Sequence, residues 1–173
     1  MIDMDQLRTD VESALSTLEY NPDDKETNIR IVEDIRSAIN KLADGEIPSP
    51  QHIAEVAVAT NENIQIRDFL MGVQLESNID YVGTYVSLLG NVIKKDKAIP
   101  LATIFCGLLY QENEKEHAKE FLSTVLELAP EYSLALLLKR VFAADWEPEN
   151  FRHMTEQLHP KVIETIYETA EAK

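Results

Sequence analysis

Pro100-Leu-Ala-Thr-Ile-Phe-Cys-Gly-Leu-Leu-Tyr110, then Gln111-Glu112-Asn113, then Glu114-Lys-Glu-His-Ala-Lys-Glu-Phe-Leu-Ser-Thr-Val-Leu-Glu-Leu-Ala-Pro130, is the stretch that decides the fold. Ala102, Phe105, Cys106 and Leu109 recur at spacings of three and four, which lines one face of a helix. Beyond the polar turn, Ala118, Phe121, Leu122, Val125 and Leu128 repeat the pattern until Ala129-Pro130 stops it. Tyr132, Ala135, Leu136, Leu138 and Phe142 then begin a third helix. Two helices joined by so few polar residues have no geometry open to them but antiparallel packing. Residues 100–144 therefore read as a helical hairpin with a third helix attached.

The same periodicity extends in both directions, and strand alternation is nowhere convincing. Leu7, Val11, Ala14, Leu15 and Leu18 form one stripe, broken at Asn21-Pro22-Asp23-Asp24. Ile29, Val32, Ile35, Ile39 and Leu42 form the next, ended by Asp44-Gly45, where glycine can take the left-handed conformation past a helix end. Pro48-Ser49-Pro50 is a start signal, with serine as N-cap and proline at the first helical position. It opens a short helix through Ile53, Val56, Ala57 and Thr60, after which Asn61 is the expected cap of a helix carrying Ile64, Phe69, Leu70, Val73 and Leu75. Residues 79–93 contain strand formers in Tyr81-Val-Gly-Thr-Tyr-Val86. Yet Val82, Tyr85, Val86, Leu89 and Ile93 fall at helical spacing, and a helix is expected. After Trp146-Glu147-Pro148, Phe151, Met154 and Leu158 and then Val162, Ile163 and Ile166 predict two closing helices separated at His159-Pro160. The expected fold is all-α: a compact multi-helix bundle of antiparallel hairpins, with an acidic N-terminal helix over 1–22 and one helical domain over 23–173.

Two resemblances follow from these residues. Gly107-Leu-Leu-Tyr110, Ala118, Leu122, Val125 and Pro130 resemble a tetratricopeptide repeat, with Ala118 at the small position where its two helices cross. No second copy follows at the ~34-residue period of such arrays. A wider resemblance rests on Leu42-Ala43-Asp44-Gly45, Pro48-Ser49, Ile53-Ala54 and Ile66-Arg67-Asp68-Phe69-Leu70. It continues through Ile99-Pro100-Leu101-Ala102, Val125-Leu126, Ala129-Pro130-Glu131-Tyr132-Ser133-Leu134-Ala135-Leu136-Leu137 and Pro148-Glu149-Asn150-Phe151. Over residues 30 to 155 the chain is similar to the C-terminal helical half of an uncharacterised actinobacterial family, the domain of unknown function 4192. The N-terminal α/β half associated with that family is absent, and the acidic, lysine-containing composition differs from its usual one. The resemblance implies a helical fold and no particular activity.

Composition narrows the function classes. The net charge of −15 is spread over the chain: residues 1–50 hold 12 acids against 5 bases, and residues 101–173 hold 13 against 7. A field of this sign repels phosphate backbones and argues against direct nucleic-acid or anionic-membrane binding. The longest apolar stretch, Ile99 to Tyr110, is shorter than the ~20 residues a membrane span needs. The first twenty residues carry acids and no apolar run, so no signal peptide is expected. A single cysteine, Cys106, lies within an apolar run and is expected to be a small buried hydrophobe, so the cytoplasm is the expected compartment.

No nucleotide-binding, nucleophile-elbow or zincin motif is present, and no cofactor is expected. Two Glu-x-x-His pairs, Glu114/His117 and Glu156/His159, have the spacing that di-iron carboxylate bundles use. The bland alternatives are a solvated charged face for His117 and a cationic helix end for His159. Arg67-Asp68 is a charged pair in an otherwise apolar stretch, suited to a helix–helix contact or an interface. Tyr81, Tyr85, Tyr110 and Trp146 supply aromatics of the kind that anchor partners. These residues motivate a non-enzymatic interaction or scaffold module that binds a protein partner or itself. The alternatives are a metal-dependent enzyme on a helical bundle and an acidic mimic of nucleic acid.

Overall fold

The computed structural model describes residues 2–168. Among them the chain forms nine α-helices, one 3-10 turn and no strand. In order these are α1 (Met4–Thr17), α2 (Lys25–Ala43), α3 (Pro50–Glu62), α4 (Ile64–Gly72), the 3-10 turn (Val73–Leu75), α5 (Ile79–Val92), α6 (Ile99–Gln111), α7 (Lys115–Leu128), α8 (Ser133–Ala143) and α9 (Pro148–Tyr167). No helix among the described residues is long and apolar enough to cross a membrane.

The boundaries follow the local chemistry. Asp3, Asp24, Ser49, Asn63 and Asn78 each accept from a backbone N–H of the following first turn, satisfying a donor that the helix itself leaves free. Gly45, at φ +87°, takes the left-handed conformation that ends α2, and Asn113, at φ +65°, does the same after α6. The expected helix over residues 79–93 forms as α5, because its stripe of Val82, Tyr85, Val86 and Leu89 is buried. Asn61, by contrast, is not a cap. It lies inside α3 and its amide donates to the carbonyls of Ala57 and Lys97, while Asn63 caps α4.

α6 organises the interior. It is apolar nearly all round, as a helix buried on most sides must be, and nine of its thirteen residues are buried. Leu101, Ile104 and Leu108 face a large core built by α1 to α5 and closed by Ile166 of α9. Ile99, Cys106 and Tyr110 face a second core with Ala118, Leu122 and Val125 of α7, Ala135, Leu138 and Phe142 of α8, and Phe151 of α9. The α6–α7 pair is the expected hairpin, with Ala118 fully buried where a bulkier side chain would hold the helices apart. α1 lies against α3 and α5, with Val11 fully buried.

The two closing helices expected around His159-Pro160 are one helix. Proline lacks the N–H that would reach the carbonyl of residue 156, a loss of about 3 kcal/mol in an isolated helix. Here buried residues on both sides of the proline, Phe151, Thr155 and His159 before it and Ile166 after it, hold the helix through. Tertiary packing outweighs the local rule.

Candidate functional site

A polar cluster links α2, α4 and α9. The Arg36 guanidinium donates from Nε to Glu76 Oε1 at 2.7 Å and from a terminal nitrogen to Oε2 at 3.2 Å. It also lies 5.2 Å from the centre of the Phe69 ring. Glu76 Oε2 is 2.5 Å from His159 Nε2, and the histidine ring packs against Phe69 at 5.5 Å. An ionised carboxylate only accepts, so Nε2 carries the proton of that contact. His159 Nδ1 is buried and unpartnered, directed at Gly72. Burial raises the Glu76 carboxyl, but the hydrogen bonds and charges of Arg36 and His159 outweigh it and hold the group below its ordinary value.

That direction fixes the pH dependence. A depressed carboxylate contributes stability above its unfolded value of about 4.3, and the contribution is lost as pH falls through the lower folded value. Glu76→Gln should therefore destabilise the protein by about 1–2 kcal/mol near neutrality, where a charged hydrogen-bond acceptor is lost. The difference from the wild type should shrink below pH 4. Thermal melts between pH 7 and pH 3 check this, and a constant difference across that range contradicts it.

The four metal candidates do not share a centre. Glu114 and His117 pair with each other at 3.0 Å on exposed α7. Glu156 lies beside Arg152 and His153, whereas His159 turns inward to Glu76. His159 is thus neither at a helix end nor beside Glu156, a correction of both sequence readings. Among the described residues no three His, Cys, Asp or Glu side chains converge. Cys106 is fully buried as expected, and burial pushes its thiol up to about 12, which leaves it protonated and inert.

The partner-binding candidates separate. Tyr81 and Trp146 are exposed, at 42% and 38%. Tyr85 and Tyr110 are not, and correct the expectation of surface aromatics. Tyr85 is wholly buried with its hydroxyl 2.6 Å from His52 Nε2. Tyr110 stacks on Phe142 at 4.4 Å, and its hydroxyl donates to the Trp146 carbonyl. Burial lowers the His52 imidazole and raises both phenols. Arg67 pairs with its neighbour Asp68 at 2.9 Å on α4, with the Tyr132 hydroxyl near it.

The surface feature that sequence reading missed is a cleft of about 510 Å³ between α5 and α6, lined also by Met4 of α1. Its apolar lining is Met4, Ile79, Leu88, Phe105, Leu108 and Leu109. α5 contributes Gly83, Thr84 and Ser87, side chains too small to fill it, and a Cβ at Gly83 would meet nothing within 4 Å. Asp80, Glu112 and Glu114 stand at its exposed edge, and no cation is among its lining residues. Asn91 also lines it, and its carbonyl accepts from Arg8 of α1, which is paired with Asp5 as well. Phe105 continues the apolar surface outward to Phe121, 5.6 Å away and 41% exposed.

Fold and surface together define an all-α protein built on a central apolar helix, tied by an ion-paired cluster at α9 and open along one apolar cleft. The sequence model of a family described as Domain of unknown function (DUF4192) matches residues 3–149, and the chain belongs to that family. The match covers α1 to α8 and the first two residues of α9, and begins earlier than the resemblance over residues 30 to 155. No curated protein and no solved structure matches the chain.

Proposed function

We propose that this chain is a non-enzymatic interaction module that holds a partner polypeptide in the α5–α6 cleft. The observation that carries this reading is the distribution of chemistry in the cleft: a mainly apolar lining, small or uncharged polar side chains along α5, and charged groups that are all carboxylates. A small-molecule site encloses most of its ligand and directs a few polar groups inward to orient it. A groove for an amphipathic segment needs the arrangement seen here. The buried Ala118 and the α6–α7 hairpin support reading this part as tetratricopeptide-like, an architecture used for such scaffolds. The cytoplasm is the compartment this reading takes. The metal-enzyme alternative loses support from His159, whose one free direction is occupied by Gly72.

A photo-crosslinking side chain at Thr84, in the full-length protein expressed in its native cell, tests the proposal. Covalent adducts to a discrete protein are expected from position 84 and not from the same group at exposed Glu131. Equal patterns from both positions contradict it.

A further inference from the structure

Resting on the reading of the cleft as a polypeptide site, we infer that its occupant is a cationic amphipathic helix, with aliphatic anchors on one face and lysines or arginines flanking them. The floor sets the first half of that description. Ile79, Leu88, Phe105, Leu108 and Leu109 offer apolar contact, and α5 offers almost no side chain at Gly83, Thr84 and Ser87. An incoming helix can therefore come close to the α5 backbone and bury residues at i, i+3, i+4 and i+7.

The edge sets the second half. Asp80 stands at the start of α5, and Glu112 and Glu114 stand at the end of α6 and the turn after it, so both helices bring carboxylates to the cleft. The net charge of −15 adds a field of the same sign over longer range. Complementary charge steers a cationic segment in and excludes acidic ones. It also argues against a second copy of this chain as the occupant, because two such edges would meet face to face.

The test uses the whole chain and a fluorescent model peptide of leucine and lysine in amphipathic helical order, followed by anisotropy. A second peptide has every lysine replaced by glutamate. Binding by the lysine peptide alone is expected, weakening by about tenfold or more in high salt as exposed charges are screened. Gly83→Leu is the decisive variant. It fills the cleft from a position with open space above it and improves helix propensity, so folding is retained. It should weaken binding by about tenfold. Neutralising Asp80, Glu112 and Glu114 together should weaken it about as much, whereas neutralising Glu127, Glu131 and Glu149 should change it by less than about twofold.

If Gly83→Leu binds as the wild type does, or the remote triple variant loses as much as the edge triple, affinity follows net charge and the inference falls. Preferential binding of the glutamate peptide overturns it as well. Failure of the peptide alongside specific adducts from position 84 removes this occupant and keeps the interaction module. Absence of both removes the two together.

Discussion

Gly72→Ala is expected to lower the unfolding free energy by about 2–3 kcal/mol, a large loss for the addition of one methyl group. A Cβ at this position would lie 2.2 Å from His159 Nδ1 and 2.7 Å from Cγ. The ring cannot simply move aside, because Nε2 is held by Glu76, which Arg36 holds in turn, and one face packs on Phe69. Either α9 shifts away from α4 or His159 gives up the carboxylate. Glycine interior to a helix costs up to about 1 kcal/mol relative to alanine, and at Gly72, the last residue of α4, the clash has at most that gain to overcome. Gly107 supplies the contrast within the same protein. There a Cβ would meet Met71 and Phe151 at 3.4 and 3.5 Å, near ordinary contact, and Gly107→Ala should be neutral or slightly stabilising. Chemical denaturation measures both. In a His159→Ala background the Gly72→Ala loss should fall by more than half, since the obstacle is gone. Additive losses would show that the ring is not the cause.

The helices were legible because their cause is local: apolar residues at helical spacing, Asp, Ser or Asn at starts, and Gly45 at an end. What was not legible depends on partners distant along the chain. Glu76 meets Arg36 from 40 residues away and His159 from 83, and no spacing rule announces either. His159 next to Pro160 has the sequence of a helix end, and only the packing of α9 on α4 makes it a buried mid-helix residue. Tyr85 and Tyr110 could be read as surface anchors because tyrosine suits both settings. Their buried hydroxyls are satisfied by His52 and by the Trp146 carbonyl, again from afar. The cleft escaped for a different reason. Periodicity finds large apolar residues, whereas this surface is defined by what α5 lacks at Gly83, Thr84 and Ser87. A helix whose buried stripe is backed by a second line of very small residues is the signal that could have revealed it.

A protein cut after residue 149, where the family match ends, is expected to lose cooperative folding altogether. The cut removes nearly all of α9 and with it Phe151, Thr155, His159 and Ile166, each at most 6% exposed. Burying one large apolar side chain contributes roughly 1.5–3 kcal/mol, and Phe151 and Ile166 each close a different core. The surfaces they cover are lost as well. Phe69 loses the His159 ring, Tyr110 loses Phe151 at 6.0 Å, and Arg36 and Glu76 lose a partner that shields their contact from water. Together these losses are on the order of the whole 5–15 kcal/mol by which domains of this size are stable. Residues 1–149 should therefore keep helical far-ultraviolet dichroism but show a broad thermal transition and weak near-ultraviolet signal. Phe151→Ala gives the graded version, with an expected loss of about 3–5 kcal/mol. A sharp transition for residues 1–149 within a few degrees of the full chain would mean that α9 is an appendage. The contacts of α9 with α2, α4 and α6 argue otherwise: sequence similarity ends at residue 149, and the folding unit continues through Tyr167.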